Sequence, residues 1–110
     1  MSSNLIGSGE GRLYLIRCEK DSESFYKVGV TGNTINRRFN TSLGGSRAMP
    51  YFYEVLIDVV IDFDKTLEIE DIICNEFESH LPNIKFGGYL ECLVESEDII
   101  KRTWELINNG

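Results

Sequence analysis

The sequence predicts a small α/β sandwich with the element order β-β-α-β-α-β-α, in which a central antiparallel or mixed sheet is flanked by helices. Segments rich in β-branched and aromatic residues alternate with polar turns. Amphipathic segments with apolar residues three or four apart lie between them, each preceded by a capping residue. With 110 residues, the chain is long enough for one compact domain with a modest core. We therefore expect a flexible leader over residues 1–11 and a single domain over residues 12–110.

Four segments have the composition of strands, and the first two are separated only by a polar turn, which predicts a hairpin. The third segment is long and rich in Val and Ile, and the fourth is short and follows a Gly-Gly pair. The predicted strands cover residues 12–18, 25–30, 51–61 and 89–94.

Three segments have the apolar spacing of amphipathic helices, and each begins at a good capping residue. The first begins at about Asn33. The second is capped by Asp64 and runs to about His80, with a proline just beyond its end. The third is capped by Ser96 and has acidic residues in its first turn, where the helix dipole favours them.

The charge of the chain is unevenly distributed along its length. The formal net charge is −7. Residues 1–50 hold seven Lys and Arg against four Asp and Glu, a balance of +3, whereas residues 51–110 hold four against fourteen, a balance of −10. Such asymmetry fits a local anion site on an acidic body. It excludes tight non-specific binding of duplex, which requires many phosphate contacts.

Apolar runs and cysteines narrow the class of protein further. No apolar run approaches the ~20 residues that a membrane helix requires, and no signal-peptide pattern opens the chain. Cys18, Cys74 and Cys92 are odd in number and lack Cys-x-x-Cys spacing. They are expected to be reduced thiols in or near the core. We therefore expect a cytoplasmic protein that does not associate with a membrane.

The segment from Tyr26 to Phe39 resembles a strand that enters a glycine-containing turn and then a helix. Backbone amides at such a turn can meet a phosphate, and two arginines follow inside the helix. In helical projection Arg38 lies on the flank of the apolar stripe, and Arg37 points largely away from it. Arg38 is therefore the better candidate for a cleft, and Arg37 for a backbone contact. Arg47, in the loop over residues 43–50, adds a third cation.

Glu70 is the most informative residue of the second helix. In projection it falls near the middle of an apolar stripe that includes Ile69, Ile73 and Phe77. A carboxylate at such a position requires a cation, a hydrogen-bond partner or a wet cleft. Two interpretations stay open: a glutamate paired with a core arginine, or a metal ligand or catalytic carboxylate.

Five short motifs follow one another along residues 12–94. They are Leu13-Tyr14-Leu15; Tyr26-Lys27-Val28-Gly29 with Thr31 and Asn33; Arg38-Phe39; Glu70 followed by Ile73, Cys74 and Phe77; and Gly88-Tyr89-Leu90-Glu91-Cys92-Leu93. Together they resemble the ordered motifs of the GIY-YIG nuclease superfamily. The Lys-Val-Gly form of the second motif resembles that of its small phage-type branch. The resemblance implies a three-layer GIY-YIG-like domain.

The resemblance also implies a chemistry and a role for each residue. The activity would be metal-assisted hydrolysis of phosphodiester bonds in nucleic acid, with DNA as the expected substrate. Glu70 would hold one divalent cation, Mg²⁺ or Mn²⁺. Arg38 would neutralise the phosphate, and Tyr14 would orient or deprotonate the attacking water. Lys27, at the second motif's tyrosine position, would assist that deprotonation or hold the phosphate. The candidate substrate-binding residues are Tyr26, Thr31, Arg37 and Arg47.

The sequence departs from the family pattern at several positions. Tyr26 stands one residue before the position of the second tyrosine, so it is expected on the opposite face of the sheet. Cys74 stands where the branch often has histidine. Arg38 matches the family arginine only if one residue is inserted after Gly29; without the insertion, Arg37 does.

A second class of function stays open. The acidic second half of the chain also fits a non-catalytic interaction module that uses the nuclease fold. Such a module would be a phage-type protein that binds and inhibits, or recruits, a host protein. Metal dependence and loss of cleavage on changing Glu70 would favour the enzyme.

Overall fold

The structure is a computed structural model that describes residues 9–32, 34–35 and 49–109. Within that part of the chain it is an α/β domain with a four-stranded antiparallel sheet and two α-helices. The strands are β1 (Glu10–Lys20), β2 (Glu23–Thr31), β3 (Phe52–Asp62) and β4 (Cys92–Leu93), and the helices are α1 (Phe63–Glu76) and α2 (Glu97–Asn108). The strand order is β3-β1-β2-β4. The first predicted helix, and with it Arg37 and Arg38, lies outside the described residues apart from positions 34 and 35.

The predicted hairpin is confirmed, and both of its strands are longer than the sequence indicated. β1 and β2 pair from Arg12 opposite Thr31 to Lys20 opposite Glu23. The turn between them contains Asp21 at φ 56°. Aspartate is among the few residues other than glycine that tolerate this left-handed conformation. The tight turn fixes which residues of the two strands face each other.

β3 extends the sheet on the other side of β1. The two strands pair antiparallel from Glu10 opposite Asp62 to Glu19 opposite Phe52, with a register shift between Leu15 and Ile16 that marks a β-bulge. Arg12 on β1 forms an ion pair with Asp58 on β3. Since every described pairing is antiparallel, the described strands exclude the mixed alternative.

The ends of α1 differ from the predicted ones. The capping residue is Asp62, not Asp64, because the Asp62 carboxylate accepts a hydrogen bond from the backbone N–H of Lys65 at 3.4 Å. The helix ends at Glu76, and Phe77 is already extended at φ −115° and ψ 157°. The prediction that the helix continues to about His80 is therefore wrong.

The last predicted strand is only partly a strand. Tyr89–Glu91 forms a 3₁₀ turn, and β4 covers only Cys92–Leu93. Gly88 precedes the turn at φ 85°, a conformation that glycine adopts without strain. The predicted cap of the last helix is confirmed, because the Ser96 hydroxyl accepts a hydrogen bond from the backbone N–H of Asp98 at 3.2 Å.

The sheet divides the core into two clusters of buried side chains, one on each of its faces. Each cluster is named after the first β1 residue that it contains. The Leu13 cluster contains Leu13, Leu15, Tyr26, Val28, Ile57, Ile69, Ile73, Leu93 and Ile99. The Tyr14 cluster contains Tyr14, Ile16, Cys18, Phe25, Ile35, Met49, Tyr51, Phe86 and Cys92. Alternate residues of β1 and β2 enter opposite clusters, as the strand period of two requires.

Both described helices cover the Leu13 cluster and are joined to each other by polar contacts. The Lys65 ammonium on α1 donates to the carbonyl oxygen of Ile107 on α2 at 2.9 Å. The Arg102 guanidinium on α2 pairs with the Glu76 carboxylate on α1 at 2.9 Å. Neither of these helices has the length and apolar character needed to cross a bilayer.

Candidate active site

Tyr14 and Lys27 meet on one face of the β1–β2 hairpin. Tyr14 lies opposite Gly29, and Lys27 lies opposite Ile16, so their side chains project on the same side of the sheet. The Lys27 ammonium is 5.7 Å from the centroid of the Tyr14 ring. The two residues are 1% and 2% exposed. The hairpin therefore places a phenol and an ammonium group side by side in a largely buried position.

Gly29 makes room for the Tyr14 ring. A Cβ at residue 29 would lie 2.9 Å from Cε2 of Tyr14, and closer still to its Cζ and Oη. These distances are shorter than van der Waals contact, so only glycine allows the ring to cross the neighbouring strand in this way. The glycine of the second motif and the tyrosine of the first are thus one packing unit.

Glu70 on α1 is half-buried, and the pKa of its carboxyl group is raised. Burial is the main cause of the rise, and the negative charge of Glu91 adds to it. The positive charge of Lys27 opposes the rise, and the negative charge of Asp71 adds to it. Glu70 is therefore within electrostatic reach of both Lys27 and a second carboxylate.

The described arginines have acidic partners other than Glu70. Arg12 pairs with Asp58, Arg17 with Glu19 and Glu95, and Arg102 with Glu76. None of these three arginines therefore supplies the core pairing that was one interpretation of Glu70. Within the described part of the chain, the cation that acts on Glu70 is Lys27.

Glu91 is a site residue that the sequence analysis did not single out. It ends the 3₁₀ turn, immediately before Cys92, and Cys92 pairs directly with Lys27 across β4 and β2. The signal in the sequence was its position in the Gly-x-x-Glu motif, which was used for the resemblance and given no role. The strand pairing brings this carboxylate to the Lys27 end of the sheet.

The three cysteines lie around Lys27 and are protonated at neutral pH. Cys18 and Cys92 are buried, Cys74 is half-buried, and all three are free thiols, as expected. Burial raises the pKa of Cys18 and Cys92 to about 12 and that of Cys74 to about 11. The charge of Lys27 lowers each of these pKa values without cancelling the rise. Because the thiolate is the reactive form, thiols of this kind are poor nucleophiles at neutral pH.

The candidate substrate-binding residues do not all lie near Tyr14. Tyr26 belongs to the Leu13 cluster, on the opposite side of the sheet. Burial, followed by the charge of Glu95, raises the pKa of its hydroxyl group. Thr31 lies at the end of β2, opposite Arg12, and is half-buried. The three arginine candidates, Arg37, Arg38 and Arg47, lie outside the described residues.

The oxygen ligands at this position suit a hard divalent cation. No group of three or more His, Cys, Asp or Glu side chains gathers at one point among residues 9–32, 34–35 and 49–109. Mg²⁺ usually retains several waters and takes one or two protein carboxylates together with substrate phosphate. Glu70 and Glu91 offer carboxylates of that kind, and a hard cation prefers their oxygens to cysteine sulfur. In type, these two carboxylates would suit Mg²⁺ or Mn²⁺.

A second polar cluster, around Glu23, is a structural clamp. The Glu23 carboxylate accepts from the Tyr51 hydroxyl at 2.6 Å and from the backbone N–H of Asn83 at 3.0 Å, and it pairs with His80 Nε2 at 2.7 Å. The Tyr51 oxygen in turn accepts from the backbone N–H of Ile84 at 3.0 Å. Both carboxylate oxygens of Glu23 and the Tyr51 oxygen already have partners, so this cluster anchors the 78–84 segment to the hairpin.

Comparison with known proteins gives no independent indication of function. The chain matched no model of a protein family, no curated protein and no solved structure. The assignment of a function therefore depends on the geometry around Tyr14, Lys27 and Glu70 and on the sequence motifs that contain them.

Proposed function

We propose that the chain is a divalent-metal-dependent endonuclease of the GIY-YIG type, with the three-layer fold of that superfamily, that hydrolyses phosphodiester bonds in DNA. We place its activity in the cytoplasm of a bacterial or virus-infected cell. The observation that carries the proposal is the electrostatic coupling of Lys27 to Glu70, two motif residues 43 positions apart that come from different elements. Lys27 projects to the Tyr14 side of the sheet and α1 covers the Leu13 side, yet the positive charge of Lys27 lowers the pKa of Glu70, against the larger rise that burial causes. Tyr14, from a third motif, lies beside Lys27.

The role of each residue follows from its charge and burial. Glu70, assisted by Glu91, would hold the divalent cation, which supplies stabilisation of negative charge on the phosphate and the leaving oxygen. Tyr14 orients the attacking water or takes its proton. Lys27 places a positive charge beside the reacting oxygens, in a position that excludes most water, where such a charge is most effective.

The proposed role of Arg38 in binding the phosphate is based on the sequence alone, because Arg38 lies outside the described residues. Its guanidinium group would bind the non-bridging oxygens of the phosphate in a bidentate manner. Arg37, Arg47 and Thr31 would contact the substrate outside the reacting phosphate. Tyr26 is buried in the Leu13 cluster, so we propose that it supports β2 by packing and does not contact the substrate.

The direct test is a cleavage assay on several substrates. The protein is incubated with supercoiled, linear duplex and single-stranded DNA, with Mg²⁺, with Mn²⁺ and with chelator. We expect cleavage only with a metal ion, loss of cleavage in Glu70→Gln, and retention in Glu68→Gln, which changes an exposed carboxylate on the same helix. Failure to cut any substrate with either metal ion would overturn the proposal.

An interaction module is the second candidate, because residues 51–110 carry a balance of −10. An acidic surface of this kind fits a basic protein partner better than nucleic acid. The module would bind and inhibit, or recruit, a host protein. A chain that cuts nothing and whose melting temperature is unchanged by Mg²⁺ or Mn²⁺ would favour this function, since a ligand of the folded state raises stability.

A further inference from the structure

The loop from Lys85 to Glu91 surrounds a shallow cavity of about 540 Å³. Its walls are mainly apolar and include the buried side chain of Phe86 and that of Leu90, which is 76% exposed. The loop is held in shape by backbone hydrogen bonds from Tyr89 N–H to the Phe86 oxygen at 3.1 Å and from Glu91 N–H to the Gly88 oxygen at 3.2 Å. The cavity is thus bounded by a preformed turn.

Tyr89 presents an aromatic surface in this cavity, with a cation next to it. Its ring is half-buried and packs against the Tyr14 cluster. The Lys85 ammonium lies 5.6 Å from the ring centroid. Proteins that bind single-stranded nucleic acid use these two kinds of group together. The aromatic ring stacks on a base, and the cation contacts the phosphate next to it.

The cavity adjoins the candidate active site through the end of the same loop. Glu91 is its last residue, and the next residue, Cys92, pairs with Lys27. The negative charge of Glu91 also raises the pKa of Glu70, so the end of the loop is within electrostatic reach of that carboxylate. A nucleic-acid strand with one phosphate near Lys27 would therefore have its neighbouring nucleotides beside the loop.

We propose that the loop cavity receives an unstacked nucleobase, with Tyr89 as the stacking surface and Lys85 as the contact to the adjoining phosphate. The partner is thus a single-stranded or locally unpaired nucleic acid. A stacked base contributes more than an exposed cation–π contact, so the base displaces the ammonium group, which then turns to the phosphate. The role of this cavity in cleavage rests on the proposed nuclease function. Binding of the base does not, because it is measured without cleavage.

Charge favours this partner over regular duplex. Lys85 is the only cation among the seven residues of the loop, and Glu91 balances it. Regular duplex is held by many phosphate contacts at once, whereas a stacked base needs few of them. A paired base is also unable to enter the cavity without leaving the helix.

Binding is tested with the full chain in the presence of chelator, so that cleavage does not interfere. The probes are short oligonucleotides that contain 2-aminopurine, as single-stranded DNA, single-stranded RNA and duplex DNA. We expect fluorescence quenching on binding of the single strands and weak binding of duplex. The DNA and RNA arms identify which sugar the site prefers.

Two variants and their controls locate the contact. Tyr89→Leu removes the ring and should weaken single-strand binding about 5- to 150-fold, whereas Tyr89→Phe should retain it. Tyr53→Leu is the matched control, because Tyr53 is also partly buried against the Tyr14 cluster. Lys85→Ala should reduce the slope of log K against log salt by about 0.7, and Lys101→Ala on α2 should leave it unchanged.

Two outcomes would overturn the proposal. One is single-strand binding by Tyr89→Leu as tight as in the unchanged protein; the other is weakening by Tyr89→Phe equal to that by Tyr89→Leu. The result is independent of the nuclease assay. If quenching depends on Tyr89 but the protein cuts no substrate, the base-binding proposal is supported and the nuclease proposal is overturned. If the protein cuts DNA but Tyr89 has no effect on binding, the nuclease proposal is supported and the base-binding proposal is overturned.

Discussion

The ring of Tyr14 lies across Gly29 on the neighbouring strand, in the space that a side chain at residue 29 would fill. This contact links the first two sequence motifs physically. It holds the phenol in a single position beside Lys27. If Tyr14 acts on the attacking water, its position depends on the absence of one methyl group at residue 29.

Gly29→Ala should therefore damage activity by displacing the Tyr14 ring. Overpacking of this kind costs about 1–3 kcal/mol of stability. A shift of about 1 Å in a reacting group lowers the rate by about 10²-fold. Gly32→Ala is the control, since among the described residues a Cβ at residue 32 would meet no atom within 4 Å. Urea unfolding and single-turnover cleavage measure the two effects, and equal behaviour of the two variants would show that the Tyr14 position is unimportant.

Glu70→Gln should abolish cleavage and at the same time stabilise the fold at neutral pH. The pKa of Glu70 is raised in the folded state, chiefly by burial. The carboxyl group therefore favours folding most below its ordinary pKa of about 4.3, and this contribution is lost as the pH rises through the raised value. Glutamine does not ionise, so the variant should exceed the unchanged protein in melting temperature at pH 7 and equal it at about pH 3.

The control for this stability effect is Glu68→Gln, which changes an exposed carboxylate on the same helix and should stay within about 0.5 kcal/mol of the unchanged protein. A loss of stability in Glu70→Gln at pH 7 would mean that the carboxylate serves as one half of a buried ion pair. In that case its removal leaves a cation without its partner.

The sequence predicted the hairpin and the position of Glu70 on the core-facing side of its helix, because both follow from local patterns. Alternation and a polar turn define β1 and β2, and the helical projection places Glu70 near the middle of the apolar stripe. The end of α1 was predicted wrongly because the apolar spacing continues through Phe77 to Leu81. Leu81 is in fact 66% exposed and lies beyond the helix. Spacing alone does not distinguish a helix that continues from a chain that leaves it.

The role of Glu91 could not be predicted for a different reason. Its approach to Glu70 depends on the pairing of Cys92 with Lys27, a contact between residues 65 positions apart. Local propensity carries no information on which strand lies next to which. The clamp around Glu23 is non-local in the same way, since it joins the start of β2 to the segment after α1.

Glu23→Gln should destabilise the fold at neutral pH and matter little in acid. Although burial, the largest single influence, raises the pKa of Glu23, the hydrogen bonds from Tyr51, His80 and Asn83 together bring it below its ordinary value. The stability that it contributes is present above the ordinary pKa of about 4.3 and is lost as the pH falls through the lowered value. We expect a loss of about 1–3 kcal/mol at pH 7, measured by urea unfolding.

At a pH acidic enough to protonate Glu23 in the folded state as well, that difference should disappear. Glu19→Gln is the comparison, because Glu19 is 57% exposed in its pair with Arg17 and should cost little. A constant difference between Glu23→Gln and the unchanged protein at both pH values would show that the clamp acts through shape and not through charge.

The two neighbouring arginines of the first predicted helix should differ sharply when they are changed. In the projection of that helix Arg38 lies beside the apolar stripe, so its stem can pack while its guanidinium group reaches the cleft. Loss of a phosphate contact made in the transition state costs about 10²–10³-fold in rate. Arg38→Ala should therefore abolish cleavage and retain part of substrate binding.

Arg37 points away from the stripe, and its loss should act only through the phosphate backbone. One lost phosphate contact lowers the salt slope of binding by about one. Arg37→Ala should thus cleave almost normally at low salt and slowly at high salt, which is measured by cleavage rates across a salt series. A reversal of the two phenotypes would mean that the arginine motif lies one residue earlier, without an insertion after Gly29. If neither substitution changes cleavage, neither arginine binds the reacting phosphate, and the nuclease proposal loses the residue to which it assigns that role.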